Sequence, residues 1–346
     1  MKFLLLLLLI VPIRVNAFST SATSAILLDQ DTNRILYAEN IHAVRSVASI
    51  SKIMTAVVAI ESGKLDEMVT IGQEIDISYG SNVYLKKGEQ IKLLDLVYAL
   101  MLRSGNDASL SIAKKVGGSV EGFVTLMNEK AKELGMKNTT FNNPNGLDEE
   151  KANYSTAYDM AILASYAMKN ETYKLIVSTK KHIVKTNMNY YRWTNKNRLL
   201  FSYKYITGGK TGFTEIAKRT LVTTASKDGL NLVVVTLNDG NDFLDHKNLY
   251  EEAFNTYKKY KIIAKGDINI INTVYESLYL KEDFYYPLTK EEAENIVLKI
   301  KLEETKKDKA GTLNICLDDK SLYETNLYYR KQKTWFQKLI GWLNDK

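Results

Sequence analysis

The sequence predicts an α+β protein: an antiparallel sheet interrupted by a helical insertion, then a small all-β domain, then a C-terminal amphipathic helix. Three observations carry the reading. Strand patterns occur at residues 24–29 and 34–39, and again at 221–225 and 230–237. Between them, from about residue 48 to 181, apolar residues recur at helical spacing, as in 93–102, 120–134 and 157–168. Beyond about Ile262 the long helical pattern disappears and short alternating segments take over. An early strand pair and a late hairpin separated by helices most economically form one sheet.

The first seventeen residues differ in kind from the rest. Lys2 is a short basic start, residues 3–13 are an apolar run, and Val15-Asn16-Ala17 is a small-x-small cleavage pattern. Residues 1–17 are therefore expected to be a cleaved signal peptide. The run falls short of the roughly 20 apolar residues that span a bilayer; an uncleaved N-terminal anchor is the competing reading. With no Cys near the cleavage pattern, a lipid-modified start is excluded.

A polar turn at 30–33 joins the first two strands, and the helical region is broken by turn-rich loops, above all Asn142-Asn143-Pro144-Asn145-Gly146. The late hairpin turns at Lys227-Asp228-Gly229, and a helix at 245–260 closes a catalytic domain expected over residues 18–262. Residues 267–275, 277–285, 295–302, 311–316 and 321–328 alternate, which predicts a small β-sandwich-like domain over 263–330. In 331–346, Trp335, Phe336, Leu339, Ile340, Trp342 and Leu343 share one helical face, with Lys338, Asn344 and Asp345 opposite. From Arg330 onward the basic residues outnumber the single acidic Asp345, so this helix is a candidate anchor on an anionic membrane surface. A terminal helix docked on the β domain is the alternative.

Composition narrows the function classes. Among 346 residues, 45% are hydrophobic and 25% charged, with 18 Gly and 3 Pro, which excludes collagenous and wholly disordered chains. The single Cys316 excludes an intramolecular disulfide or a thiolate cage, and three scattered His (His42, His182, His246) argue against zinc. No metal or organic cofactor is expected. Without Lys2 and Arg14 the formal charge falls from +7 to +5. This suits an anionic envelope and gives no argument for nucleic acid.

Ser49-Ile50-Ser51-Lys52 opens an apolar helical run. A spacing of three puts hydroxyl and amine on one helical face, one turn apart. Lysine becomes a base toward serine when burial or another cation lowers its pKa. The spacing alone is weak, because Ser111/Lys114 and Ser178/Lys181 share it. Two further motifs change its weight: Ser104-Gly105-Asn106, in a loop after a helix, and Lys210-Thr211-Gly212, after Gly208-Gly209. Read separately, these are a helix cap and a glycine-rich hairpin. In this order, with Asp in place of Gly105, the trio is the pattern of β-lactamases and penicillin-binding proteins.

The chain resembles the serine D-alanyl-D-alanine carboxypeptidases, which are low-molecular-mass penicillin-binding proteins. The likeness extends to residues 48–56 (ASISKIMTA), 84–89 (YLKKGE), 103–108 (RSGNDA), 140–148 (TFNNPNGLD), 154–161 (YSTAYDMA) and 209–214 (GKTGFT), roughly over 20–260. The resemblance implies a penicillin-binding-protein/β-lactamase-like fold. It further implies that Ser49 attacks the penultimate D-Ala carbonyl of a peptidoglycan stem peptide ending in D-Ala-D-Ala, and that water hydrolyses the acyl-enzyme. Lys52 would be the base, Ser104 a proton relay to the leaving amine, and Asn106 a hydrogen-bond partner of the substrate backbone. Lys210 and Thr211 would bind the terminal carboxylate, Gly212 would let substrate lie along the strand edge, and the Ser49 and Phe213 amides would form the oxyanion hole. β-Lactams would acylate the same serine, on the outer face of the cytoplasmic membrane.

Three positions depart from the family pattern. Asp242 stands where many relatives carry an arginine near the substrate carboxylate, Asn153 where histidine is frequent, and Lys218 where glycine is frequent. A transpeptidase or endopeptidase on the same scaffold remains open. A β-lactamase needs a carboxylate to activate water, and Glu149 and Glu150 sit within a stretch that matches the carboxypeptidases instead. A non-catalytic wall-organising protein is the rival of another class, and the three intact motifs argue against it.

Overall fold

The computed structural model describes residues 19–148, 151–268, 278–303 and 309–329. The expected signal peptide, the expected C-terminal helix and the Glu149-Glu150 pair lie outside the described residues. Two units can be distinguished, one holding the chain up to Ala253 except Asp228–Leu230, the other Asp228–Leu230 with the chain from Phe254 onward.

The first unit is built on five strands: β1 (Ala22–Asp29), β2 (Ile35–Glu39), β3 (Ile206–Thr214), β4 (Lys218–Lys227) and β5 (Leu230–Asp239). They lie in the order β2-β1-β5-β4-β3, so the first and last parts of the chain share one sheet. β1 runs antiparallel to β5 with Ile26 opposite Val235. β4 runs antiparallel to β3 with Val222 opposite Lys210. β3, which carries the Lys-Thr-Gly, is therefore an edge strand.

The insertion between β2 and β3 is mostly helical: α1 (Lys52–Glu61), α2 (Leu93–Tyr98), α3 (Asn106–Gly117), α4 (Val120–Glu133), α5 (Ala157–Ala167) and α6 (Glu171–Ser178). α1 is apolar nearly all round and is buried from Lys52 to Ile60, as such a helix must be. Its neighbours α3, α4, α5 and α6 surround it. Ser119, Thr156 and Asn170 cap α4, α5 and α6 by accepting from Gly122, Asp159 and Tyr173 amides at 3.0 Å each.

Three short strand pairs break the expected run of helices: Arg45–Ser46 with Tyr154–Ser155, Met68–Thr70 with Gln90–Lys92, and the hairpin Lys181–Lys185 with Tyr190–Thr194. Periodicity over so few residues cannot reveal them, because each pair is made by partners distant in sequence or by one tight turn. The helix expected at 93–102 ends as α2 at Tyr98 and continues as a π-helical turn, Ala99–Arg103. The helix expected at 245–260 runs over Asp242–Thr256, and Lys258–Ile263 is a strand paired with Phe284–Leu288. Tyr260, Ile262 and Ile263 suit a strand once a partner is present, and only the fold supplies that partner.

The second unit holds that two-stranded pair and a five-stranded sheet, in the order Gly266–Ile268, Leu278–Leu280, Lys320–Tyr329, Lys309–Leu317, Ile296–Leu302. Its core is Leu278, Leu280, Ala310, Leu313 and Leu327. One short helix, Lys290–Glu294, interrupts the strands, and its capping box joins Thr289 and Glu292. Among the described residues no helix is long and apolar enough to cross a membrane.

Candidate active site

Ser49 lies in a 3-10 turn, Ala48–Ser51, that runs directly into α1. The residue before it, Ala48, has φ +48°, a left-handed conformation that costs a non-glycine residue about 1–3 kcal/mol. The surroundings hold it there. Ser51 Oγ donates to the Ala48 carbonyl at 2.8 Å, Thr220 Oγ1 donates to the Val47 carbonyl at 3.1 Å, and the Val47 amide donates to the Asn153 carbonyl at 3.1 Å. Gly146, at φ +77°, packs so closely on the Ala48 carbonyl that no side chain would fit.

Lys52 is wholly buried one turn later. Its Nζ is 3.0 Å from Ser49 Oγ, donates to Asn106 Oδ1 at 2.8 Å, and donates to the Asn145 carbonyl. Burial, then the neighbouring Lys210 and Lys196 charges, hold the amine well below the usual lysine range. A neutral amine has two hydrogens and one lone pair. In the neutral form, with Asn106 and Asn145 accepting those hydrogens, the lone pair would be the group left for the Ser49 hydroxyl, 3.0 Å away.

Ser104 ends the π-helical turn at φ +63°, and Asn106 opens α3. A π turn followed by a left-handed residue is a costly local arrangement of the kind found at functional sites. Lys210 Nζ, fully screened from solvent, donates to Ser104 Oγ at 3.1 Å and to the Thr211 carbonyl at 2.6 Å. Burial, then Lys196, lowers its pKa as well. Both ends of the Asn106 amide are engaged within the protein, since its Nδ2 donates to the Tyr79 carbonyl at 2.6 Å. Each end keeps one further hydrogen-bonding position, a second lone pair on Oδ1 and a second N–H on Nδ2.

β3 passes along the start of the 3-10 turn. A Cβ on Gly212 would stand 3.0 Å from the Ser49 amide nitrogen and closer still to Thr220 Oγ1. The packing reason for this glycine is thus the turn that carries Ser49, in addition to any substrate along the strand edge. Ser49, Ser104, Thr211, Gly212 and Phe213 line an open cleft of about 530 Å³, shared with Lys196, Arg198, Arg219, Asp242 and Phe243. A larger opening of about 720 Å³, bordered by Ser165 and Ile206, contains none of the motif residues, so volume alone does not select the site.

All the motif residues named from sequence therefore converge. Several contributors were not named. The Asn145 carbonyl orients Lys52, and its only sequence signal was membership of the 140–148 block. Glu89, fully buried in the 84–89 block, accepts from the Lys86 amide at 3.0 Å, Thr186 Oγ1 at 2.7 Å, Asn189 Nδ2 at 3.0 Å and Tyr191 OH at 2.9 Å. It ties the hairpin at 181–194 to the loop before α2. Asp148 accepts from Ser46 Oγ at 2.7 Å and from Thr214 Oγ1, joining the loop to the end of β3. Lys196, Arg198 and Arg219 carried no recognisable motif.

The family departures also find their places. Asn153 Oδ1 accepts from the Asn142 and Asn143 amides at 2.7 and 3.1 Å, holding the loop that carries Asn145. Lys218 has φ +56°, which is why glycine suits that position. Asp242 pairs with Arg219. None of the three histidines approaches Ser49 as a base: His246 is buried between Thr223 and Thr236 hydroxyls at 2.7 and 3.0 Å, His182 contacts Asp95 at 2.8 Å, and His42 packs on Tyr158.

A hydroxyl 3.0 Å from a buried lysine amine, beside a second hydroxyl held by a second lysine, is suited to acyl transfer through a serine. This fold and this site define a penicillin-binding-type serine protein. The model of the D-alanyl-D-alanine carboxypeptidase family matches residues 12–241, more than half the chain, and the chain belongs to that family. Residues 252–333 match the C-terminal domain of penicillin-binding protein 5. The chain is 37% identical over 228 residues to the D-alanyl-D-alanine carboxypeptidase DacF of Bacillus subtilis, covering 64% of this chain and 58% of that relative's length. It is 28% identical to DacA of Escherichia coli over 93% of this chain and 87% of the relative. Penicillin-binding protein 5 from Haemophilus influenzae superposes with a TM-score of 0.77 at 27% identity, over 90% of this chain and 96% of that one.

Proposed function

We propose that the protein is a D-alanyl-D-alanine carboxypeptidase that removes the terminal D-Ala from peptidoglycan stem peptides through an acyl-enzyme on Ser49, and that β-lactams acylate the same serine. The observation that carries this reading is the Lys52 amine, buried and held by Asn106 and Asn145 within 3.0 Å of Ser49 Oγ. Lys52 takes the Ser49 proton as Oγ bonds to the penultimate D-Ala carbonyl. The Ser49 and Phe213 amides receive the oxyanion, and the closeness of β3 to the Ser49 turn supports that pairing. As the C–N bond breaks, a proton passes through Ser104 to the leaving D-Ala amine. Water then attacks the ester, with Lys52 again as base, and Ser49 regains its proton.

Asn106 orients Lys52 and lies where a substrate amide would pass. Thr211 offers its hydroxyl to the terminal carboxylate, with the Lys210 charge behind it. The protein is read as exported, its mature form held on the outer face of the cytoplasmic membrane by residues 331–346. The test is D-Ala release from a diacyl-Lys-D-Ala-D-Ala peptide beside labelled-penicillin trapping. Ser49→Ala is expected to abolish both with the thermal midpoint unchanged. Labelling that persists or moves to Ser111 or Ser178 refutes the nucleophile.

A further inference from the structure

The cleft contains more positive charge than the reaction described above uses. Lys210 is buried, and Ser104 Oγ and the Thr211 carbonyl take two of the three donors of its ammonium. The cations open to an incoming ligand are others. Arg219, on β4 and opposite Phe213 in the strand register, has 41% of its side chain exposed. Arg198 is exposed, and the guanidinium carbons of Arg198 and Arg219 lie 5.0 and 6.0 Å from the centre of the Phe243 ring. Lys196 is half-buried and donates to Ser81 Oγ at 3.1 Å.

Among the described residues Asp242 is the one carboxylate lining this cleft, and its partners are within the protein. It accepts from Arg219 Nη2, and its Oδ1 also accepts from the Phe243 amide at 2.8 Å at the start of the helix Asp242–Thr256. Three cations against one paired carboxylate leave an excess of positive charge in the cleft that Thr211 also lines. A guanidinium carries five N–H donors in a fixed fork, so the Asp242 contact at Nη2 steadies Arg219 without exhausting it. Position 242, where the family resemblance leads to the expectation of an arginine, here carries the carboxylate that pairs with an arginine on β4.

We propose that Arg219, steadied by Asp242, is the residue that makes this cleft select a ligand with a free C-terminal carboxylate. Arg198 and Phe243 line the same cleft, and Arg198 adds charge to it. The inference deepens the carboxypeptidase reading and rests on it for the identity of the substrate.

The experiment compares kcat/KM for diacyl-Lys-D-Ala-D-Ala and for its C-terminal amide, in wild type, Arg219→Gln, Arg219→Lys and Lys210→Gln. A charge-assisted hydrogen bond to a carboxylate predicts that Arg219→Gln lowers the acid-to-amide ratio by about ten- to hundredfold, mainly through KM. Arg219→Lys should restore part of it, since charge returns without the fork. An unchanged ratio in Arg219→Gln, or an equal loss on both substrates, overturns the proposal, as does a ratio that collapses only in Lys210→Gln. Labelling rates with penicillin and with its methyl ester give a second ratio that does not depend on hydrolysis. If wild type releases no D-Ala from either peptide, the carboxypeptidase reading fails while the penicillin pair still judges Arg219.

Discussion

Gly212→Ala should disable the site by moving two backbone amides apart. A Cβ at this position would lie 3.0 Å from the Ser49 nitrogen and 3.1 Å from the Ile50 nitrogen, where 3.4 Å is the near limit of ordinary contact. β3 must therefore retreat by about 0.4 Å from the turn that carries Ser49, a shift of the size that overpacking forces. Thr220 Oγ1 is closer still to the new methyl and must move, which breaks its 3.1 Å bond to the Val47 carbonyl. That loss and the overpacking together cost about 2–4 kcal/mol of stability. The larger effect falls on rate. Phe213 follows Gly212 directly, so its amide is displaced from the Ser49 amide. Losing one oxyanion donor lowers kcat by about 10² to 10³. Steady-state D-Ala release and the second-order rate of penicillin labelling measure this, beside a thermal melt. If kcat stays within about threefold of wild type while KM rises, Gly212 serves substrate passage along the strand edge and the packing argument is wrong.

The proposed role of Lys52 as base requires the unprotonated amine, so kcat/KM should climb as pH rises through its lowered pKa. Lys210→Met removes a like charge that helps lower that pKa, so the acid limb of the profile should move to higher pH; a limb that stays in place refutes the coupling. Burial lowers the pKa of His246 to about 3 against 6.5 for the free side chain. Between those values the unfolded chain binds the extra proton, so stability falls as pH drops through that window, by about 2 kcal/mol at pH 5. Melting curves at pH 7 and 5 should show a smaller drop in His246→Gln than in wild type, and equal drops would exclude this histidine as the cause. Deleting residues 331–346 should release the protein from anionic vesicles with D-Ala release retained, because every motif residue precedes 215; full-length mature protein that ignores such vesicles argues for a docked terminal helix.

What was legible in the sequence is what local spacing encodes. A separation of three residues in a helix-start pattern sets Ser49 and Lys52 on one face, and alternating apolar residues mark the strands at both ends of the sheet. The Ser-x-Asn and Lys-Thr-Gly motifs were visible as short strings, and the order of the three pointed to their chemistry. What surrounds the Lys52 amine was not visible. Its two other partners, Asn106 and Asn145, lie 54 and 93 residues away, and one of them contributes a backbone carbonyl, which any residue type could supply. The left-handed Ala48, the π-helical turn before Ser104 and the edge position of β3 likewise arise from packing between distant segments rather than from residue preference. The same holds for Arg219: as a residue type it is one of many surface cations, and only the antiparallel pairing of β4 with β3, and the helix that begins at Asp242, bring its charge beside Ser49. Local periodicity settles which residues can form a helix or strand, because those forces act over a turn or two. The pKa of a buried amine and the sign of a cleft depend on desolvation and on charges brought together across the chain, and these exist only once the tertiary structure has formed.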